Sequence, residues 1–153
     1  MAFLLHGLAP ALFAPWFALS DAELLARGAR RRVADAKPGY PCRVSLADAE
    51  IGEELLLVPF EHHATSSPYR ASGPIYIRRA ARAQVVLDRV PDTLATRILS
   101  VRAYDADGMM VAADVVDGRE LSGQLDWMLA RREVTYVHVH NAKPGCFACR
   151  VTR

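Results

Sequence analysis

Apolar runs in this chain are short, and several come in consecutive pairs separated only by a few turn-forming residues. Ile98 to Tyr104 and Met110 to Val116 flank Asp105-Ala106-Asp107-Gly108, where the glycine supplies the positive φ of a tight hairpin turn. Val134 to His140 and Cys146 to Thr152 flank Asn141-Ala142-Lys143-Pro144-Gly145 in the same manner. Strand-length segments joined this closely pair antiparallel, because a parallel return needs a long crossover. Hairpins outnumber helix crossovers, so the sequence predicts an α+β fold: a mainly antiparallel sheet with two or three helices in a single compact domain over residues 1–153.

The remaining segments fit that frame. Phe3-Leu4-Leu5 reads as a first strand. Ser20-Asp21-Ala22-Glu23 has the form of a capping box, with Leu19 and Leu24 at the staple positions, and predicts a helix running to about Gly28. Ala36-Lys37-Pro38-Gly39 is a turn. Cys42-Arg43-Val44 starts a strand, and Ser45 to Glu50 is expected to form one helical turn. Glu54 to Phe60, Ser72 to Arg79 and Gln84 to Leu87 have strand length, and Pro91 to Arg97 reads as a short helix. A second capping box, Asp117-Gly118-Arg119-Glu120, precedes Leu121, Leu125, Met128 and Leu129, which share one helical face. Ala142-Lys143-Pro144-Gly145 and Cys149-Arg150-Val151 echo Ala36-Lys37-Pro38-Gly39 and Cys42-Arg43-Val44, a resemblance read as shared turn chemistry.

With 153 residues the chain is long enough to bury a core without disulfides. Its net charge of +2 and the brevity of Arg30-Arg31-Arg32 and of the Arg78, Arg79, Arg82 cluster argue against a nucleic-acid partner. The apolar N-terminal stretch lacks a basic leader and is broken by His6, Gly7, Pro10 and Pro15, so neither a secretory signal nor a membrane span is expected, and the protein is expected to be cytoplasmic. Three cysteines, Cys42, Cys146 and Cys149, do not form a disulfide framework. No dinucleotide, P-loop, nucleophile-elbow or zinc-protease motif occurs, and no cofactor is expected.

Candidate chemistry gathers in two places. In the C-terminal hairpin, His138 and His140 alternate onto one strand face. A loop of even length places Phe147 and Cys149 on that same face and Cys146 on the other, so His138, His140, Cys146 and Cys149 are not expected to hold a metal. Cys146-Phe147-Ala148-Cys149 opens a strand rather than a helix, which argues against a redox dithiol. The hairpin instead offers a Cys/His pair, Cys146 with His140 as base, supported by Asn141 and Lys143 at the turn. The second place is the loop Ser66-Ser67-Pro68-Tyr69-Arg70-Ala71-Ser72, where Arg70 can fork onto an anion and Tyr69 and Ser72 can add hydrogen bonds. Asp105-Ala106-Asp107-Gly108 lacks the distal ligands of a calcium loop and stays a turn.

Several segments together resemble a bacterial family, domain of unknown function 1203. They are Leu19-Ser20-Asp21-Ala22-Glu23-Leu24, the run Lys37 to Leu46, Ser67 to Pro74, Tyr104 to Met110, and His138-Val139-His140-Asn141-Ala142-Lys143-Pro144-Gly145-Cys146. The resemblance implies a compact cytoplasmic protein and supplies no activity. The residues favour a small-molecule-binding protein or small enzyme. Its catalytic pair would be His140 and Cys146, and its ligand contacts Arg43, Tyr69, Arg70, Ser72, His138, Asn141 and Lys143, closing on a small anionic molecule. The other class is a non-enzymatic interaction module or homodimer, which would expose an apolar patch near Trp16, Phe17 or Trp127.

Overall fold

In the computed structural model, which describes residues 2–153, the paired runs fold as hairpins. From the N-terminus, β1 (Leu4–His6) is followed by a 3-10 turn and two short helices, α1 (Ala14–Phe17) and α2 (Asp21–Ala26). Ser20 caps α2, its hydroxyl accepting the Glu23 N–H at 3.2 Å. Next come β2 (Arg30–Val33), β3 (Pro41–Cys42), β4 (Ala47–Asp48), the two long strands β5 (Glu54–His63) and β6 (Ala71–Arg78), and β7 (Val85–Leu87). The helix α3 (Asp92–Ala95) leads into the hairpin of β8 (Ile98–Tyr104) and β9 (Met110–Asp117), then α4 (Leu121–Leu129), then the hairpin of β10 (Tyr136–Asn141) and β11 (Phe147–Thr152). Gly108 takes the positive φ that its turn demands, 76°.

The strands form two sheets rather than one. The larger has the order β7-β1-β11-β10-β8-β9, with every neighbouring pair antiparallel. The smaller has the order β2-β5-β6-β3-β4 and is antiparallel except where β3 meets β6. One face of the larger sheet carries Val101, Val137, Val139 and Val151 against Leu121, Leu125, Met128 and Leu129 of α4, all buried. Gly118 lets α4 close on this core: a Cβ there would fall 1.9 Å from the Leu94 carbonyl oxygen. A second core packs Leu56, Val58, Ile75 and Ile77 of β5 and β6 beneath Phe13 and Leu24.

Four local expectations change. Ser45 to Glu50 does not form a helical turn; Arg43 to Leu46 is a tight turn and Ala47–Asp48 pairs with β3, so Arg43 lies in a turn rather than in a strand. Arg30–Val33 is a strand on β5, held partly by Arg31 reaching Asp21 and Glu54 at 2.8 and 2.5 Å. Asp117 accepts the Arg119 N–H at 2.9 Å, but Gly118–Glu120 is a 3-10 turn and α4 starts at Leu121. Finally, the β10–β11 ladder shifts register between Val139 and His140. His140 pairs with Phe147 and Val139 with Cys149, so Phe147 stays on the histidine face while Cys149 turns into the valine core.

Candidate functional site

Two polar regions border the C-terminal hairpin. The first lies between the histidine face of the larger sheet and the end of β5. Alternation along β10 puts Tyr136, His138 and His140 on this face, and β5 supplies His62 and His63. The rings interlock: His62 stacks on Phe147 at 5.3 Å and meets His140 edge-on at 5.1 Å, and His63 meets His138 edge-on at 4.9 Å. Tyr104 and Tyr136 stack at 5.4 Å beside them. The His63 Nδ1–H donates to the Tyr69 carbonyl at 2.8 Å, which leaves Nε2 to accept from the Tyr136 hydroxyl at 2.6 Å. The His140 Nδ1–H donates to the Gly145 carbonyl at 3.0 Å. Burial holds His138 down at about 2 and His140 at about 4, with the neighbouring histidines adding to the burial effect. Both rings are therefore neutral at ordinary pH. Among the described residues no three His, Cys, Asp or Glu side chains converge on a metal position.

The second region is an open pocket of about 810 Å³ at the hairpin tip, within the usual size of a small-ligand site. Its walls come from the turn before β3, from β5 and β6, from the α3–β8 junction and from the hairpin tip. Both Lys-Pro-Gly segments border it, through Gly39 and through Lys143 and Pro144, although their backbones differ: Gly145 takes a positive φ and Gly39 does not. The tip is tied down by Asn141 N–H to the Cys146 carbonyl at 2.9 Å, Gly145 N–H to the Asn141 carbonyl at 2.8 Å and Ala142 N–H to the Ile98 carbonyl at 3.0 Å. Gly145 makes this possible with a φ of 80°.

Arg43 lies at the back of the pocket. Its turn is fixed by Arg43 N–H to the Tyr76 carbonyl at 3.1 Å and by Leu8 N–H to the Arg43 carbonyl at 2.8 Å. The side chain is only 2% exposed. Its guanidinium donates to the Phe147 carbonyl at 2.7 Å, to the Pro41 carbonyl, and to Cys146 Sγ at 2.9 Å. No carboxylate pairs with it among the described residues. Burial pushes Arg43 below its ordinary pKa, and the adjacent Cys146 sulfur opposes that. Asn141, 4% exposed, directs its Nδ2 toward the same sulfur at 3.8 Å, and its Oδ1 has no hydrogen-bond partner. Two further arginines line the pocket with their own carboxylates: Arg97 on Asp48 at 2.7 Å and Arg119 on Asp117 at 2.7 Å. Lys143 is exposed at the rim.

Of the residues singled out from the sequence, Arg43, Asn141, Lys143 and Cys146 share the pocket. His138 and His140 stand behind it in the ring cluster, and the hydrogen-bond partners of the Cys146 sulfur are Arg43 and Asn141, not His140. Tyr69, Arg70 and Ser72 lie outside the pocket lining. Tyr69 meets Tyr104 edge-on at 6.1 Å, Arg70 forks onto Glu61 at 3.0 and 3.2 Å, and Ser72 is exposed on β6. Arg97 and Arg119 were not singled out; no spacing rule connects them to residues far away in the chain. The aromatic residues that would mark a partner surface are dispersed. Trp16 and Phe17 pack on the second core with the Arg79 guanidinium over Phe17, and Trp127, 57% exposed, carries Arg131 against its ring. No helix among the described residues is long and apolar enough to cross a membrane.

A family profile described as protein of unknown function (DUF1203) matches residues 39–153. No curated protein and no solved structure matches the chain.

Proposed function

The chain belongs to this DUF1203 family, whose description assigns no activity, so function rests on the site itself, and we propose that the protein binds a small anionic molecule in the pocket at the hairpin tip. One observation carries the reading. The cavity is bordered by Arg43, Arg97, Arg119 and Lys143, while among the described residues the carboxylates in ion pairs with them are Asp48 and Asp117. The two carboxylates pair with Arg97 and Arg119, which leaves the charges of Arg43 and Lys143 for a ligand. A buried guanidinium without a carboxylate is costly unless an anion answers it. The fixed turn on either side supplies preorganisation, which lowers the ordering cost of binding.

In this reading Lys143 meets the incoming charge at the rim, and Pro41, Leu57 and Pro144 pack against the apolar part of the ligand. Calorimetric titration with inorganic phosphate, malonate and a neutral amide of the same size tests this. Saturable binding of an anion, absent for the amide and weakened several-fold by Lys143→Ala, is expected. Equal heats for charged and neutral compounds would dismiss the reading.

A further inference from the structure

The hairpin-tip pocket is too large for an anion alone. At about 810 Å³ it lies in the upper part of the range of small-molecule sites, roughly 300–1,000 Å³. Phosphate or malonate would fill only a corner of it. Much of the remainder is bounded by apolar side chains. Leu57 and Tyr76 are direct cross-strand partners on β5 and β6, and Pro74 stands two residues before Tyr76, so alternation sets all three on one face of the smaller sheet. The opposite face, with Leu56, Val58, Ile75 and Ile77, is closed by Phe13 and Leu24. The Leu57 face borders the cavity instead, and none of its three side chains there is fully buried. Ile98, at the start of β8, adds a further apolar side chain that is 42% exposed. The charges are unevenly shared. Arg97 and Arg119, which follow α3 and β9, are paired with Asp48 and Asp117. Arg43 and Lys143, in the turn after β3 and at the hairpin tip, have no ion pair among the described residues.

We propose that the ligand is an amphipathic carboxylate: an acidic head held by Arg43 and Lys143, joined to an apolar body, ring or chain, that lies over Leu57, Pro74 and Tyr76. The proposal rests on the anion-binding reading and adds what the anion is attached to. Covering an apolar face that the folded chain leaves open to water supplies most of the affinity, because a charge at the rim contributes little on its own. Arg43 supplies the selection for an acid over its amide, since a neutral head would leave the buried guanidinium unanswered.

The test is calorimetric titration of the intact chain with straight-chain acids from butanoate to octanoate, with phenylacetate, with malonate, and with hexanamide as the neutral counterpart of hexanoate. Affinity should rise about threefold for each added CH₂ until the apolar face is covered, and the heat-capacity change should grow more negative along the series. Phenylacetate against hexanoate tells a ring from a chain. Hexanamide should bind roughly tenfold more weakly than hexanoate. Ile98→Ser, at an exposed position, should weaken octanoate several-fold and leave malonate unchanged. Leu57→Thr should do the same, with folding of both variants checked by thermal melting. Lys143→Ala should weaken every acid by a similar factor. If malonate binds and octanoate binds no better than butanoate, the anion reading stands and the amphipathic ligand is overturned. If hexanamide binds as tightly as hexanoate, the acidic head is overturned and the anion reading with it.

Discussion

The ring cluster and the hairpin-tip pocket both bury polar groups, within a few residues of each other on β10 and β11, and they settle the cost in opposite ways. In the cluster His138 and His140 are neutral, and edge-on and stacked contacts fill the space between His62, His63, His138, His140 and Phe147. Neutral rings cost far less to enclose than a charge, even with Nδ1 of His62 and His138 and Nε2 of His140 left without partners. In the pocket the buried group is a guanidinium, the carboxylate that would close the site is missing, and an open cavity lies in front. Four histidines are the more conspicuous feature in the sequence, yet their enclosure makes them a support for the hairpin. The single Arg43 faces the space a ligand can enter.

The largest effect that would break this contrast is on Arg43. Arg43→Ala leaves the Phe147 and Pro41 carbonyls without their donor and should cost about 1–3 kcal/mol for each in chemical denaturation. A loss under about 1 kcal/mol would mean the charge is solvated and the two regions do not differ in kind.

The contrast also explains what the sequence disclosed. The β8–β9 hairpin and the α4 face were legible because Gly108 and the Leu121, Leu125, Met128, Leu129 spacing are local signals. β2 was not, because its arginines carry no apolar alternation and Arg31 is held by Asp21 and Glu54 from other elements. The face of Cys149 was misassigned because one inserted residue shifts a strand's pattern, and nothing local marks that bulge. In the site, Arg43 and the hairpin-tip residues Asn141, Lys143 and Cys146 border one pocket, whereas His138 and His140 stand outside its lining. The Tyr69–Ser72 loop turned to the ring cluster, and Arg97 and Arg119 entered only through the packing of α3 and the end of β9.

A smaller effect sharpens the cluster side. His138 and His140 ionise in the folded chain only near about 2 and 4, against 6.5 when unfolded, so unfolding takes up protons below that value. Their contribution to stability is complete above pH 6.5 and falls as the pH drops through the window toward 4. Between pH 6 and 5 the two together should remove roughly 2–3 kcal/mol. His138→Phe should make that dependence shallower, whereas an unchanged slope would place the titrating groups elsewhere. The smallest effect is at the rim, where Lys143→Ala should shift stability by no more than about half a kcal/mol. A larger loss would make Lys143 a structural residue rather than a ligand contact.

The most direct measurement is a titration of the isotope-labelled protein with malonate, followed by backbone and side-chain amide resonances. Progressive shifts should concentrate on Arg43, Asn141, Lys143 and Cys146, while the backbone amides of His62, His63 and His138 hold their positions. Shifts centred on the histidines with a silent hairpin tip would reverse the roles assigned to the two regions and contradict the account.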